Sequence, residues 1–423
     1  MKKNILVFPC GSEIGLDIYS SVQYSTYFHL IGGSSVEDHG KFVYEDYIPD
    51  IPFVNTTDFI PTMAKVVKER RIDAIYPAMD LVITILKEHE GELGCRVISS
   101  TLETTRICLS KEKTYNALNG VVRIPKIYDI TIPQEEFPVF AKPAVGYGAK
   151  GTKKLNCQED VNVFIKGRDN ILLLEYLPGE EYTVDCFTDR HGNLLYSAAR
   201  RRNRVKDGIS VNTSFVENQC EFEQLAQKIN SRVAFRGAWF YQVKRDKHGE
   251  LSLLEIASRL GGSSLLSRAV GVNFALLSLF DAFDYDVTVF KNNYTVELDR
   301  ALENKYKTDL QFDAVYCDYD DCLIIDKTKV NVKLVSFLFK CVNDGKKIYL
   351  LSKHNGDLFQ ELIAFRLDHL FDEVMHIEKD ADKVNYIKEL SAIFIDDSNA
   401  ERVNVKNKLN LPVFSPEMID VLI

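Results

Sequence analysis

The chain has 423 residues, of which 46% are hydrophobic and 27% charged, and its formal net charge is −9 at pH 7. This composition is that of a soluble globular protein with several domains, and the acidic balance argues against general affinity for nucleic acid or anionic membranes. Nine scattered cysteines favour a reducing cytoplasm over a disulfide framework. The apolar run at residues 4–9 is too short for a signal peptide or membrane anchor.

Over residues 1–105, short apolar strands alternate with helical stretches, beginning with NILVFP and the glycine turn CGSEIG. This alternation predicts a small doubly wound α/β domain. The glycine turn is compatible with nucleotide binding, although a structural or substrate-facing role is favoured. Asp80 ends a strand and is as well explained by helix capping as by ligand binding.

The central region is most informative at FPVFAKPAVGYGAKGTKKL, where a strand delivers Lys142 and a loop presents Gly146, Gly148 and Gly151. The glycines match GxGxxG, but a dinucleotide-binding fingerprint needs the loop to open a helix, whereas TKKL predicts another strand. A glycine-rich hairpin over nucleotide phosphates, with Lys142 supplying charge, fits the order better. A surface lysine paired with a carboxylate is the structural alternative.

Further along, LLLEYLPGEEYTVDCF gives a strand, a turn and two glutamates, and two strands joined by the turn DKHGE carry Gln242 and Glu255. Facing residues on paired strands can bind one cation, and Arg259 lies four residues beyond Glu255. A solvated charge run is the alternative for the glutamates and for the arginines of RRRNR.

Together these segments resemble the ATP-grasp superfamily, with residues 1–105 as its N-terminal preATP-grasp domain and residues 106–300 as its ATP-binding and catalytic domain. The resemblance implies ATP and one or two Mg²⁺ as cofactors. Ala257 stands where the family commonly has Asn, which removes one oxygen ligand. The implied roles are phosphate binding by Lys113, Lys142 and the glycine loop, adenine binding by the backbone of Glu175, Tyr176 and Leu177, ribose binding by Glu181, Mg²⁺ binding by Gln242 and Glu255, phosphate or acyl-phosphate binding by Arg259, and carboxylate or acyl-phosphate binding by Arg200 and Arg202.

Near the C-terminus, the apolar strand in AVYCDYDDCL ends in Asp318, Asp320 and Asp321, and the strand in LSAIFIDDS ends in Asp396 and Asp397. Carboxylates this close repel one another unless a cation or a phosphoryl-transfer role stabilises them. The carboxyl edge of a parallel sheet is where ligands bind in α/β folds. An oxygen-ligated Mg²⁺ is therefore the simplest occupant.

The order DxDDxL, KKIYLLS, Lys383 and IDDS resembles the haloacid-dehalogenase-like phosphohydrolases over residues 312–423. Few residues separate Asp318 from Ser352, which leaves no room for a large cap domain, and Cys322 stands where the family usually has Thr. A retired site whose acids cap helices is the alternative. The implied roles are nucleophile for Asp318, general acid/base for Asp320, phosphoryl-oxygen binding by Ser352, charge neutralisation by Lys383, and Mg²⁺ binding by Asp318, Asp320, Asp396 and Asp397.

The two resemblances predict a cytoplasmic, multidomain α/β enzyme that is both an ADP-forming carboxylate–amine ligase and a phosphohydrolase. Its last domain would be Rossmann-like, and the polar residues 294–311 are predicted to be a connector. The expected partners are a small carboxylate, an amine and a phosphomonoester, with no nucleic acid or membrane, and a homo-oligomer is left open. The alternatives are a small-molecule kinase without an amine step and a non-enzymatic nucleotide sensor or scaffold with decayed sites.

Overall fold

The computed structural model describes residues 2–146, 150–206, 208–301 and 305–423. The predicted phosphate contact of Gly148 therefore lies outside the described residues. Within these ranges the chain forms four sheets of four or more strands and one two-stranded ribbon, which gives a mixed α/β fold. In the same ranges, no helix is both long and apolar enough to cross a membrane.

The beginning of the chain forms a five-stranded parallel sheet, as its alternating pattern predicts. Its elements are β1 (Lys3–Phe8), α1 (Glu13–Val22), β2 (Phe28–Gly33), α2 (Gly40–Val43), β3 (Asp46–Ile48), α3 (Phe59–Glu69), β4 (Ala74–Pro77), α4 (Asp80–Glu88), α5 (Glu90–Leu93) and β5 (Arg96–Val97). The strand order is β3-β2-β1-β4-β5. Because β1 is covered on both faces, its apolar run is continuous rather than alternating.

A four-stranded antiparallel sheet follows. The elements of this region are α6 (Leu102–Leu109), α7 (Lys111–Leu118), β6 (Ile127–Tyr128), a 3₁₀ helix (Gln134–Glu136), β7 (Val139–Pro143), β8 (Lys153–Leu155), α8 (Gln158–Ile165) and β9 (Ile171–Glu175). The strand order of the sheet is β6-β9-β7-β8. Lys142 lies on β7, and the segment after the glycine loop forms β8, which pairs with β7. The loop therefore joins two strands, and the prediction of a hairpin rather than a dinucleotide fingerprint is confirmed.

The largest sheet has seven antiparallel strands. Its elements are β10 (Glu181–Thr188), β11 (Leu194–Lys206), β12 (Ile209–Phe215), α9 (Cys220–Arg232), β13 (Gly237–Arg245), β14 (Leu251–Ala257), α10 (Leu265–Ala269), α11 (Phe274–Ala282), β15 (Val296–Asp299) and β16 (Lys305–Thr308). The order is β14-β13-β10-β11-β12-β15-β16. This order places β14, with Glu255, at one edge of the sheet.

The prediction of a connector at residues 294–311 is wrong, because β15 and β16 form here and extend the seven-stranded sheet. Val296 and Leu298 alternate inward along β15, while Glu297 between them is exposed. Two buried side chains are enough for this strand of four residues, which pairs with β12 and β16, but they are too few to produce a recognisable apolar pattern in a polar segment.

The last region forms a five-stranded parallel sheet with a two-stranded ribbon. Its elements are β17 (Ala314–Cys317), β18 (Ile324–Ile325), β19 (Lys329–Val330), α12 (Val332–Asn343), β20 (Lys347–Ser352), α13 (Leu358–Ala364), β21 (Glu373–His376), a 3₁₀ helix (Lys383–Tyr386), β22 (Ala392–Ile395), α14 (Asn399–Leu409), β23 (Val413–Phe414) and a 3₁₀ helix (Pro416–Val421). The sheet order is β21-β20-β17-β22-β23. The central strand β17 thus has β20 and β22 as neighbours.

One hydrophobic core joins the C-terminal sheet to the seven-stranded sheet. Its buried side chains include Leu266 of α10 and Leu298 of β15 together with Val315 of β17, Leu338 of α12 and Ile395 of β22. A continuous core of this kind couples the unfolding of the elements that share it.

We expect Leu338→Ala to lower the free energy of unfolding by about 2–5 kcal/mol, because the truncation leaves a cavity in this shared core. The urea transitions followed by far-ultraviolet circular dichroism and by fluorescence of Trp239, in the seven-stranded sheet, should shift together. Val163→Ala is the control, since Val163 is 71% exposed and should shift neither transition. A change in circular dichroism without a change in tryptophan fluorescence would mean that the two sheets unfold independently.

Candidate functional site

The first candidate site is organised around Glu255, near the end of β14. Gln242 on β13 pairs directly with Glu255 in the antiparallel register, so an amide and a carboxylate stand side by side. The pairing of β13 with β14 shifts register between Gln242 and Val243, immediately after this pair. Both side chains offer oxygen atoms, which are the ligands that Mg²⁺ prefers.

Four basic side chains interact electrostatically with Glu255. Lys111 Nζ lies 3.5 Å from Glu255 Oε2. Burial is the main cause that lowers the pKa of Lys142 to about 7. The positive charge of Lys111 contributes to this lowering of the pKa, whereas the negative charge of Glu255 opposes it. Burial also lowers the pKa of the Arg202 guanidinium, and Glu255 offsets part of that shift. The pKa of Arg259 is raised, because nearby carboxylates outweigh the effect of burial.

Lys142 is held in the cleft by its place on β7 and by one backbone contact. Its Nζ donates to the carbonyl of Leu254 at 3.1 Å and lies 5.5 Å from the centre of the Tyr115 ring. Neither partner carries a negative charge that would neutralise a buried ammonium group. A phosphate group would supply that charge.

The structure brings Lys111 to this site rather than Lys113. Lys111 begins α7, and its Nζ donates to the carbonyl of Gly146 in the glycine loop at 3.1 Å. Lys113 is exposed on the same turn. Both lysines belong to the sequence SKEK, and only the rotation of α7 on its neighbours distinguishes them.

Arg259 and Asp80 form a bidentate ion pair that connects the central region to the N-terminal sheet. Arg259 Nε donates to Asp80 Oδ1 at 2.9 Å and Nη2 donates to Oδ2 at 2.8 Å. Asp80 lies in the first turn of α4, and Met79 is the residue at its N-cap. Asp80 therefore orients Arg259. The sequence suggests only helix capping or ligand binding for Asp80.

Arg200 and Arg202 lie on the same face of β11, since they are two residues apart on one strand. Arg200 Nε donates to Asp185 Oδ2 at 2.7 Å, and both side chains are buried. Arg202 forms an ion pair with Glu181. Among the described residues, Arg200 Nη1 and Arg202 Nε are buried without a hydrogen-bond partner. Unpaired buried N–H groups cost free energy, and an anionic ligand would satisfy them.

The predicted adenine-binding segment follows β9. The Glu175 backbone N–H donates to the carbonyl of Lys126 at 2.8 Å, and its carboxylate accepts from Arg123 at 2.8 Å. Leu177 is buried, and the Tyr176 ring lies 4.3 Å from Lys154 Nζ.

The predicted ribose ligand and two loop glycines complete the first site. Besides its ion pair with Arg202, the Glu181 carboxylate lies 3.9 Å from Lys244 Nζ, so two basic side chains flank it among the described residues. Gly151 has a φ of +71°, which a residue with a side chain rarely adopts. Among the described residues, the atoms nearest to a Cβ at Gly146 would be those of Pro143, at 3.7 Å or more.

The second candidate site is at the carboxyl edge of the C-terminal sheet. Oxygen atoms of Asp318, Asp396 and Asp397 lie within 4.8 Å of one another, because β17 and β22 are adjacent and parallel. Lys383 Nζ bridges Asp318 Oδ1 at 2.8 Å and Asp396 Oδ2 at 2.7 Å. Burial lowers the pKa of Lys383, but these two carboxylates outweigh it and the net shift is upward.

This cluster contains three carboxyl groups and one ammonium group, that of Lys383. Burial and the charge of Asp318 raise the pKa of Asp396, and burial and the charge of Asp396 raise the pKa of Asp397 to about 8, so Asp397 is largely protonated at neutral pH without a cation. A divalent cation such as Mg²⁺ would favour the ionised form of these hard oxygen donors. Ser352 ends the neighbouring β20, and its Oγ is buried without a hydrogen-bond partner among the described residues.

The Asp320 carboxylate lies outside this group of three acids. Both of its oxygens are 3.0 Å from His354 Nδ1, and His354 Nε2 is 3.0 Å from Glu361 Oε1. The sequence did not single out His354, although its place two residues after Ser352 was a usable signal. Cys322, at the usual Thr position, is buried and its Sγ donates to the carbonyl of Ile395.

Comparison with known proteins identifies relatives of the central region. Residues 167–304 match the model of a family described as "ATP-grasp in the biosynthetic pathway with Ter operon". Over 210 residues the chain is 26% identical to the D-alanine–D-alanine ligase of Fusobacterium nucleatum subsp. nucleatum, a match that covers 43% of this chain and 70% of the ligase. The family match ends at residue 304, before the C-terminal sheet.

Solved structures extend the likeness in fold. The biotin carboxylase domain of Hydrogenobacter thermophilus 2-oxoglutarate carboxylase, in complex with MgADP, ADP and bicarbonate, superposes with a TM-score of 0.60 at 15% identity and covers 71% of this chain and 74% of that one. The L-amino acid ligase of Bacillus licheniformis superposes with a TM-score of 0.59 at 14% identity and covers 71% and 79%. The chain is therefore similar in sequence to ATP-grasp proteins over residues 167–304, and the greater part of it shares the fold of these solved structures.

Proposed function

We propose that residues 1–300 form an ADP-forming ligase that joins a carboxylate to an amine through an acyl-phosphate. The observation that carries this proposal is the arrangement of four basic side chains and Gln242 around Glu255. Such a site suits a polyphosphate with a divalent cation. Two of the relatives are, by name, a ligase of D-alanine and a ligase of L-amino acids.

The proposed chemistry assigns a task to each group of side chains. Glu255 and Gln242 would hold Mg²⁺, which when bound would supply positive charge to offset that of the transferring phosphoryl group. Lys111 and Lys142 bind phosphate oxygens, and the unpaired N–H groups of Arg200 and Arg202 orient the carboxylate. The carboxylate oxygen attacks the γ-phosphorus and ADP leaves. The amine then attacks the acyl carbon, and phosphate leaves as the amide bond forms.

A small-molecule kinase would use the same first step, so the amine distinguishes the two functions. The purified protein should be screened with Mg²⁺, ATP, a series of amino acids and small carboxylates, and amines, with ADP release as the measurement. The ligase proposal requires ADP release to depend on the amine and to be matched by an amide product. ADP release that needs the carboxylate alone, with a stable phosphorylated product, would identify a kinase instead.

We expect Glu255→Gln to reduce Mg²⁺-dependent ADP release on the order of a hundredfold, or about 3 kcal/mol in the barrier, because the site loses a charged ligand. Glu250→Gln is the matched control, since Glu250 lies in the exposed turn of the same hairpin. Melting temperatures should show that both variants fold. Unchanged ADP release in folded Glu255→Gln would contradict the metal assignment.

We also expect nucleotide binding to take up as much as about one proton at pH 8. Burial holds the pKa of Lys142 near 7 in the free protein, and bound phosphates would restore its charge. At about pH 7 the lysine is half protonated in the free protein, so the uptake should be about halved, and it should disappear about one to two pH units lower. Calorimetric titrations in buffers of different ionisation enthalpy measure it. Lys142→Met should abolish the buffer dependence while Lys166→Met, an exposed control, keeps it, and a wild-type enthalpy independent of buffer at pH 8 would refute the coupling.

A second activity is proposed for residues 312–423, that of a haloacid-dehalogenase-like phosphohydrolase. The observation that favours it is the buried Lys383 bridging two acids of a three-carboxylate cluster, beside an unpaired Ser352 hydroxyl. Asp396 and Asp397 together with Asp318 would hold Mg²⁺. Acids that served only to cap helices would have no reason to lie together around one buried lysine.

In the proposed reaction, Asp318 attacks the phosphorus of a phosphomonoester and its carboxylate oxygen forms the new bond. The bond to the leaving oxygen breaks, and Asp320 gives that oxygen a proton. Ser352 and Lys383 bind the phosphoryl oxygens. Asp320 then takes a proton from water, which attacks the phosphorus and releases Asp318 and phosphate.

We expect Asp318→Asn to eliminate hydrolysis of p-nitrophenyl phosphate and binding of beryllium fluoride with Mg²⁺, while ATP-dependent ADP release is unchanged. The amide is a poor nucleophile and cannot form the fluoride complex that mimics a carboxyl phosphate. Asp313→Asn is the control, because Asp313 is exposed just before the opposite end of β17. If the wild-type protein binds neither Mg²⁺ nor beryllium fluoride at this sheet, the site is a retired one and the phosphohydrolase proposal is wrong.

A further inference from the structure

The side chain of His354 is enclosed between two carboxylates beside the second site. Nδ1 lies 3.0 Å from both oxygens of Asp320, and Nε2 lies 3.0 Å from Glu361 Oε1. The imidazole is 6% exposed, whereas the Asp320 side chain is 41% exposed. A rigid buried ring thus holds an acid that is otherwise open to solvent.

The ring itself is fixed by further contacts. Tyr319 donates its hydroxyl to Glu361 Oε2 at 2.8 Å, and its ring packs edge-on against His354 with centroids 4.9 Å apart. His376 Nε2 lies 2.7 Å from the carbonyl of His354, a distance at which it can donate a hydrogen bond. A Cβ at Gly356 would come within 2.9 Å of His354 Nε2, so glycine permits the close approach of the loop. The arrangement leaves the imidazole little freedom to rotate.

We propose that His354 is a positioning residue that aims Asp320 at the leaving oxygen of the phosphomonoester. This inference rests on the proposed phosphohydrolase activity and assigns His354 no contact with the substrate. When Asp320 gives up its proton, the N–H of His354 Nδ1 stabilises the carboxylate that remains, in the orientation needed to accept a proton from water. Glu361 holds the opposite side of the ring, so the hydrogen bond to Asp320 keeps its direction.

A structural ion pair and a positioning contact predict different dependence on the leaving group. An alkoxide leaving group needs a proton from Asp320, whereas p-nitrophenolate leaves without one. Loss of fold or of metal would slow both substrates alike. The later step, in which Asp320 takes a proton from water, is the same for both substrates, so kcat can fall for both. Loss of a correctly aimed proton donor would lower kcat/KM, which covers the steps up to release of the leaving group, only for the alkyl phosphate.

The experiment compares kcat/KM for 2-glycerol phosphate and p-nitrophenyl phosphate in four variants. His354→Ala and His354→Gln should lower kcat/KM for the alkyl substrate on the order of a hundredfold and kcat/KM for the aryl substrate by less than about threefold. His354→Asn should retain most of the alkyl kcat/KM, because its amide nitrogen replaces Nδ1 as the donor to Asp320. Asp320→Asn should show the same difference between substrates as His354→Ala.

The outcomes separate this proposal from the activity on which it rests. Equal losses of kcat/KM on both substrates, or His354→Asn as impaired as His354→Ala, would overturn the positioning role while leaving the phosphohydrolase intact. A wild-type protein that hydrolyses neither phosphate and does not bind beryllium fluoride would overturn both. Melting temperatures of all variants identify any loss that comes from unfolding.

Discussion

Both candidate sites depend on charges that are removed from water and balanced against one another. In a medium of low dielectric constant, an isolated ion is strongly disfavoured, so each buried charge needs a partner or a ligand. In the central cleft, Arg202 and Arg259 are paired with other carboxylates, which leaves Lys111 and Lys142 to share Glu255, and an incoming anion would complete the balance. At the C-terminal sheet, three carboxyl groups share the ammonium group of Lys383, and a cation would allow Asp397 to ionise. The two sites are therefore suited to first ligands of opposite charge.

The sequence reveals those parts of the sites that are set by local order along the chain. Lys142 directly precedes a glycine loop, and Asp318 and Asp396 each follow an apolar strand. The sequence therefore marks these three residues without any information on tertiary contacts. Gln242 and Glu255 are also recognisable, because a short hairpin turn sets the register of their strands. The patterns that mark strands, turns and strand ends extend over only a few residues, so they can be recognised in the sequence without knowing the tertiary packing.

Other features depend on packing between distant segments and leave no local pattern. The choice of Lys111 over Lys113 follows from how α7 is rotated on the sheet, and the partner of Arg259 is 179 residues away. Arg200 is paired with Asp185 through the register of β10 and β11, which the arginine run does not indicate. The strands β15 and β16 appear only because an existing sheet offers an open edge to a polar segment.

The position of Lys383 has a consequence for how the second site fills. Its ammonium group contacts two carboxylates at once and so holds Asp318 and Asp396 together. Under the proposal that Mg²⁺ binds here, the cation would meet acids whose charge this ammonium group partly screens. A phosphoester would draw the ammonium toward its own oxygens and unmask the acids for the metal. Ester and cation would then each tighten the binding of the other, so that occupancy by the metal follows the supply of substrate.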